Sequence, residues 1–255
     1  MQTIEMKIQQ DFFENRGCSK ENFIIGPCSI ESFEQIHRSA QKIHELGYKY
    51  MRGGAYKPRT TSDSFQGLGL DGVKFLREAC DEFSLLAVSE IMSEKQLEES
   101  YELIDVLQVG SRNMQNFELL KTLASVEKPI LFKRGLMATI EEYIGALSYL
   151  TSSGKKNIIL CERGVRTFDN QTRNMLDIMA VPILKERTGL PVIVDVSHST
   201  GRRDLLLPAS KAAIGIEADG IMMEVHPTPD SALSDAQQQI SFEEFVEMDQ
   251  KLWKK

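Results

Sequence analysis

Four side chains far apart along the chain carry chemistry that belongs together: Cys28, His198, Glu224 and Asp235. A thiol, an imidazole and two carboxylates make a mixed sulfur, nitrogen and oxygen donor set that suits a divalent transition metal such as manganese, iron, zinc or cobalt. Their spacing matches no zinc finger, as expected of ligands that a fold must assemble. A second set is cationic: Arg52, Lys57, Arg59, Arg112, Lys133 and Arg163. Guanidinium forks match phosphate and carboxylate oxygens in pairs, and so many cations in one place repel each other until anions arrive. The two sets together predict a substrate, or two substrates, with several negative charges beside a metal.

The elements that must position these residues are legible as a repeat. Eight short β-rich runs cover 23–28, 48–54, 84–90, 105–111, 129–135, 157–164, 191–198 and 220–227. Helical patterns separate them. "SFEQIHRSAQKIHELG" places Phe33, Ile36, Ala40, Ile43 and Leu46 on one face, and "SEKQLEESYEL" and "TIEEYIGALSYLTSSG" behave alike. "RNMLDIMAVPILKERTGL" reads as a further helix with a break near Pro182. Eight strand–helix units in 255 residues predict an α/β fold, a (β/α)8 TIM barrel. The strand ends then carry Cys28, Arg52, Glu90, Arg112, Lys133, Arg163, His198 and Glu224 in order. In such barrels chemistry collects at that rim. Residues 1–20 read as an N-terminal extension with some β structure, and 21–255 as the catalytic barrel.

Composition narrows the function classes. Net charge is −7, which argues against a broad basic face for nucleic acid. No apolar run reaches the roughly 18 residues of a membrane span, and the first residues lack a signal-peptide core. The expectation is a cytoplasmic protein. Cys18, Cys28, Cys80 and Cys161 form no CxxC pair, so they are expected to be thiols or metal ligands. His37 and His44 fall on the exposed side of the first helix, and His226 lies two residues past Glu224.

Seven motifs in order, "GPCSIES", "RGGAYKPRT", "VGSRNMQN", "FKRG", "CERG", "DVSHSTGRRD" and "EVHPTPDSALSDAQQ", resemble the 3-deoxy-D-arabino-heptulosonate 7-phosphate (DAHP) synthase family. The likeness is to its short bacterial branch and covers about residues 18–250. It implies a metal-dependent transferase that condenses phosphoenolpyruvate with erythrose 4-phosphate, the first step of the shikimate route to aromatic amino acids. It makes Cys28, His198, Glu224 and Asp235 the metal ligands, and names Lys133, Cys28 and His198 as catalytic residues. Arg112 and Arg163 would grip the phosphoenolpyruvate phosphate. Arg52, Lys57 and Lys133 would surround its carboxylate, with Lys133 near the reacting carbons. The segment Lys57-Pro58-Arg59-Thr60 would bind substrate, Arg59 and Thr60 taking the erythrose 4-phosphate phosphate. Glu90 and Glu162 are candidates to orient water.

Two rival readings accompany this one. The sister 3-deoxy-D-manno-octulosonate 8-phosphate synthases use arabinose 5-phosphate, and the form Lys57-Pro58-Arg59-Thr60 favours the heptulosonate branch. A non-catalytic sugar-phosphate-binding regulatory barrel would be expected to lack a metal ligand or the Lys133 motif, and both are present. The resemblance further implies a homotetramer or homodimer, and a chorismate mutase domain or partner. Residues 1–20 are too short to be such a domain, so an isolated barrel with little feedback inhibition by aromatic amino acids is expected.

Overall fold

The computed structural model describes residues 4–57 and 63–253. The chain enters through helix α1 (Ile4–Ile8) and a π-helical turn (Gln9–Glu14), then begins an alternation that repeats eight times. Its elements are β1 (Phe23–Gly26), α2 (Phe33–Glu45), β2 (Tyr50–Arg52), α3 (Leu70–Glu82), β3 (Leu86–Glu90), α4 (Glu94–Ser100), β4 (Val106–Val109), α5 (Phe117–Ala124), β5 (Ile130–Lys133), α6 (Ile140–Thr151), β6 (Ile158–Glu162), α7 (Ala180–Thr188), β7 (Val192–Asp195), α8 (Val196–Thr200), α9 (Leu206–Gly215), β8 (Gly220–Glu224) and α10 (Phe242–Trp253). Each strand pairs in parallel with the next, and β8 pairs with β1 through Phe23↔Ile221 to Gly26↔Glu224, closing a (β/α)8 barrel.

Local chemistry explains the helices. Ser32 caps α2 by accepting from the Gln35 amide, and Ile36, Ala40 and Ile43 face inward as their spacing predicts. Thr139 and Glu142 form a reciprocal capping box at α6. The 173–190 reading is corrected: the helix starts at Ala180, so Pro182 stands in its first turn rather than at a mid-helix break. There its missing N–H costs no intrahelical bond. Residues 173–179 are instead a loop tied down by an antiparallel bridge between Val165 and Met175.

The lead-in is corrected as well, from partly β to helical. A closed barrel offers no free edge for another strand. Instead Ile8 and Phe12, four residues apart, enter the N-terminal mouth of the barrel. They join Ile24, Tyr50, Leu86, Val106, Leu131, Ile159 and Met222 in the interior cluster. Phe12 packs edge-on against Tyr50 with ring centroids 5.2 Å apart, and the Tyr50 hydroxyl donates to Asp11 at 3.0 Å. Phe12 is fully buried. The Phe12→Ala variant should therefore lose about 3–5 kcal/mol of stability, read as a drop in urea midpoint. A loss under 1 kcal/mol would mean that the plug does not support the barrel.

Candidate functional site

Most site residues hang from the C-terminal ends of strands. Arg52, Glu90, Lys133 and Glu224 are the last residues of β2, β3, β5 and β8, and Arg163 follows β6 directly. Cys28 sits two residues beyond β1, reached through Gly26 at φ +144°. A Cβ on Gly26 would lie 2.2 Å from the Arg52 carbonyl oxygen, so only glycine lets the two strand ends close up here. Two expected positions change. His198 is not on β7 but on α8, one helical turn later, and Arg112 lies in a 3-10 turn (Ser111–Asn113) past β4.

Three of the four expected donors cluster, and His198 borders two of them. One atom each from Cys28, Glu224 and Asp235 lies within 4.8 Å of the others. The His198 Nε2 atom is 3.5 Å from Glu224 Oε1 and 3.9 Å from Asp235 Oδ2. Asp235 holds a left-handed φ of +51°, a conformation that aspartate tolerates better than most side chains. Burial pushes the Cys28 thiol up to about 12, with Glu224 adding to the rise. It donates to Asp235 Oδ2 at 3.2 Å. Burial opposes ionisation of Glu224, but His198, Arg52 and Lys57 outweigh it and hold the carboxyl well below its usual range. Burial also lowers His198, favouring the neutral ring that a metal ligand requires. Thiol, neutral imidazole and carboxylates fit a divalent transition metal by donor chemistry.

Asp195 was not read from the sequence as a site residue, yet it organises this centre. Its carboxylate accepts from His198 Nδ1 at 2.8 Å, from the His198 amide at 2.9 Å and from Lys133 Nζ. An acceptor on Nδ1 leaves Nε2 as the ligating nitrogen. Burial opposes Asp195 ionisation, and His198 and Lys133 overcome it, keeping the carboxyl well below its usual range. The signal was present in the motif: an acid three residues before a histidine caps a helical turn. Gln238 and Gln239, also missed, steady the centre from the loop after β8. Gln239 accepts from the Cys28 amide at 2.9 Å, and Gln238 donates to Glu224.

Beside this set opens a cavity of about 260 Å³ whose lining includes the cations Arg52, Lys57, Arg112, Lys133, Arg163, Arg166 and Arg173, with Glu90, His198 and Asp235. Five of these seven cations were expected. Arg166 and Arg173 are not among them: Arg173 opens the 173–190 stretch that reads as helix, and Arg166 lies between that stretch and the 157–164 strand run. Pro58, Arg59 and Thr60 lie outside the described residues. Arg163 is nearly fully buried; its Nε has no hydrogen-bond partner among the described residues, and its only hydrogen bond there runs to the Gly164 carbonyl. Burial lowers its affinity for the proton despite Asp195 nearby. A buried guanidinium so placed is a site for an anion.

The two candidate glutamates separate. Glu162 turns away, paired with Arg134 at 2.9 Å and accepting from the Gly164 amide at 2.6 Å. Glu90 lines the cavity; Gln108 donates to its Oε2 at 3.2 Å, and its Oε1 has no hydrogen-bond partner among the described residues. Burial raises its carboxyl above the usual range despite Lys57 and Lys133. A Cβ on Gly110 would fall 2.0 Å from Glu90 Oε1, so the carboxyl has room only because residue 110 lacks a side chain. Cys161 faces the barrel interior and pairs with Lys133 across the sheet, and His226 Nε2 lies 3.6 Å from Glu31. His44 is exposed, and His37 is half-buried and pairs with Glu82.

A closed (β/α)8 barrel whose rim joins a cation-lined cavity to a thiol, imidazole and carboxylate cluster defines a barrel enzyme for small polyanionic substrates. The chain matches the DAHP synthetase I family over residues 5–255 and belongs to it. It is 52% identical over 231 residues to the phospho-2-dehydro-3-deoxyheptonate aldolase of Thermotoga maritima, covering 91% of this chain and 68% of that protein. It is 30% identical over 250 residues to the 2-dehydro-3-deoxyphosphooctonate aldolase of Desulfotalea psychrophila, covering 91% and 88%. The crystal structure of the Thermotoga enzyme superposes with a TM-score of 0.88 at 51% identity, over 91% of this chain and 68% of that one. A truncated form of the Thermotoga 3-deoxy-D-arabino-heptulosonate 7-phosphate synthase gives 0.84 at 47%, over 91% and 85%.

Proposed function

We propose that this barrel condenses phosphoenolpyruvate with erythrose 4-phosphate and water to give 3-deoxy-D-arabino-heptulosonate 7-phosphate and phosphate, the opening step of the shikimate pathway. The observation that carries the reading is the buried Arg163, which pairs with no carboxylate among the described residues, beside the Cys28, His198, Glu224 and Asp235 donor set. Two phosphates and one carboxylate account for the number of cations in so small a cavity. Higher identity to the heptulosonate relative than to the octulosonate one favours erythrose 4-phosphate over arabinose 5-phosphate.

In this reading Arg112 and Arg163 hold the phosphoenolpyruvate phosphate, while Arg52, Lys57 and Lys133 take its carboxylate. Lys133 is fixed by Asp195 and sits under the reacting carbons. A divalent ion held by Cys28, His198, Glu224 and Asp235 would supply Lewis-acid polarisation of the aldehyde oxygen. Holding both substrates in line converts a collision into an internal step. The enol carbon bonds to the aldehyde carbon, water adds at the former C2, and phosphate leaves by C–O cleavage. Glu90, beside that carbon's pocket and raised in pKa, orients the water and accepts or returns its proton.

The test is turnover of phosphoenolpyruvate with each aldose phosphate. Erythrose 4-phosphate should be consumed; turnover with arabinose 5-phosphate alone would overturn the choice. Stripping with EDTA and removing the excess should abolish the reaction, and added manganese should restore it. Full activity after stripping would reject the metal. All four cysteines are free and no described helix is long and apolar enough to cross a membrane, which supports a cytoplasmic location.

A further inference from the structure

The three donors that lie within 4.8 Å of one another are each engaged by a cation that also lines the substrate cavity. Lys57 Nζ is 3.0 Å from Cys28 Sγ. Arg52 pairs with Glu224 through Oε1. Arg173 Nη1 lies 3.2 Å from Asp235 Oδ2. Sulfur and carboxylate oxygens suited to a divalent ion are thus the same atoms that hold cations suited to the substrate's anions.

We propose that the metal site and the anion pocket share these three cations, so that a divalent ion and phosphoenolpyruvate bind cooperatively, with Arg173 as the coupling residue. The inference rests on the functional reading above for the identity of the anion. A divalent ion that takes Asp235 Oδ2 displaces Arg173 from it, and the freed guanidinium already faces the cavity in which the phosphate or carboxylate must sit. An anion that draws Arg173 away exposes Asp235 to the ion in turn. Thermodynamic linkage makes the two effects equal in magnitude.

Arg173 is singled out by where it sits. The Arg52–Glu224 pair is sealed, with side chains 5% and 0% exposed, whereas those of Arg173 and Asp235 are 33% and 18% exposed. A buried pair is costly to break, and a half-open one yields readily. The Arg173 backbone is anchored, its amide donating to Thr200 at 3.0 Å and the next amide, of Asn174, to Ser199 at 2.8 Å. The side chain can therefore turn while its root stays fixed. Its second partner, Gln238 Oε1 at 2.7 Å, belongs to the residue that donates to Glu224, so the guanidinium touches two donors of the set, one directly and one through an amide.

Direct attraction between a bound divalent ion and a nearby anion also couples the sites, so the test must separate the two. Calorimetric titration of phosphoenolpyruvate into the EDTA-stripped and the manganese-loaded full chain gives a ratio of dissociation constants. For the wild type that ratio should be on the order of tenfold. Arg173→Gln should bind manganese alone more tightly than the wild type, bind phosphoenolpyruvate less tightly when loaded, and shrink the ratio several-fold. Arg173→Lys should recover most of it. An unchanged ratio in Arg173→Gln assigns the coupling to direct attraction and overturns the proposal, as does a wild-type ratio of one, which needs no variant to fold. A wild-type chain that binds no phosphoenolpyruvate in either state overturns the functional reading itself.

Discussion

Lys133→Met should lower kcat/KM for the condensation by about a thousandfold or more, the scale of removing a preorganised charge from a closed site. Lys133 Nζ donates to Asp195 and lies 3.7 Å from the Met222 sulfur, with Cys161 paired to it across the sheet. No other described lysine or arginine bonds to Asp195. Methionine fills the same volume against Met222 without the charge. The loss should therefore appear in turnover and in phosphoenolpyruvate affinity more than in folding. His198 remains a donor to Asp195, which limits the stability cost of breaking this buried pair without removing it. Measured by phosphate release and by urea unfolding, activity within tenfold of the wild type would remove Lys133 from the reacting centre.

Lys133 and its neighbours were legible in the sequence because strand ends in a repeating β/α pattern fall at one rim whatever the loops do. Cys28, Arg52, Lys133, Arg163 and Glu224 were placed by that argument alone, since each is within two residues of a strand terminus. What the pattern could not place were groups outside the repeat. Arg166 and Arg173 lie in a loop whose Met175, Leu176, Ile178 and Met179 imitate a helical stripe. Backbone bonds to residues 199 and 200 hold that segment in place, a contact between loops that no local period encodes. Asp195 hid for a different reason. It lies in the apolar run of β7 and looks like the end of a strand, although its chemistry faces two elements at once. The lead-in misled in the same way: "IEMKIQQDFF" alternates enough to suggest β structure, and only the closed barrel decides that Ile8 and Phe12 must enter as a plug.

Glu90→Gln should separate function from stability in opposite directions. Glu90 is half-buried on a cavity wall, its buried Oε1 unpartnered among the described residues, and desolvation of the carboxyl holds its pKa above the usual carboxylate range. A folded-state value above the unfolded one means that the folded protein binds the proton more tightly. Stability associated with this group is then full below the unfolded pKa and is lost as pH rises through the folded one. Glutamine has the same shape and no charge to lose, so the variant's advantage should be absent near pH 4 and grow towards pH 7. There it should reach about 1–2 kcal/mol, the scale of an imperfectly paired buried polar group. Turnover should move the other way, falling about a hundredfold or more for lack of a group that can pass a proton to or from water. A buried carboxyl that weakens the fold at working pH is expected where the reaction requires it. Should urea midpoints from pH 4 to pH 8 show Glu90→Gln to be less stable than the wild type throughout, Glu90 would be a structural pillar and the water would need another residue to orient it.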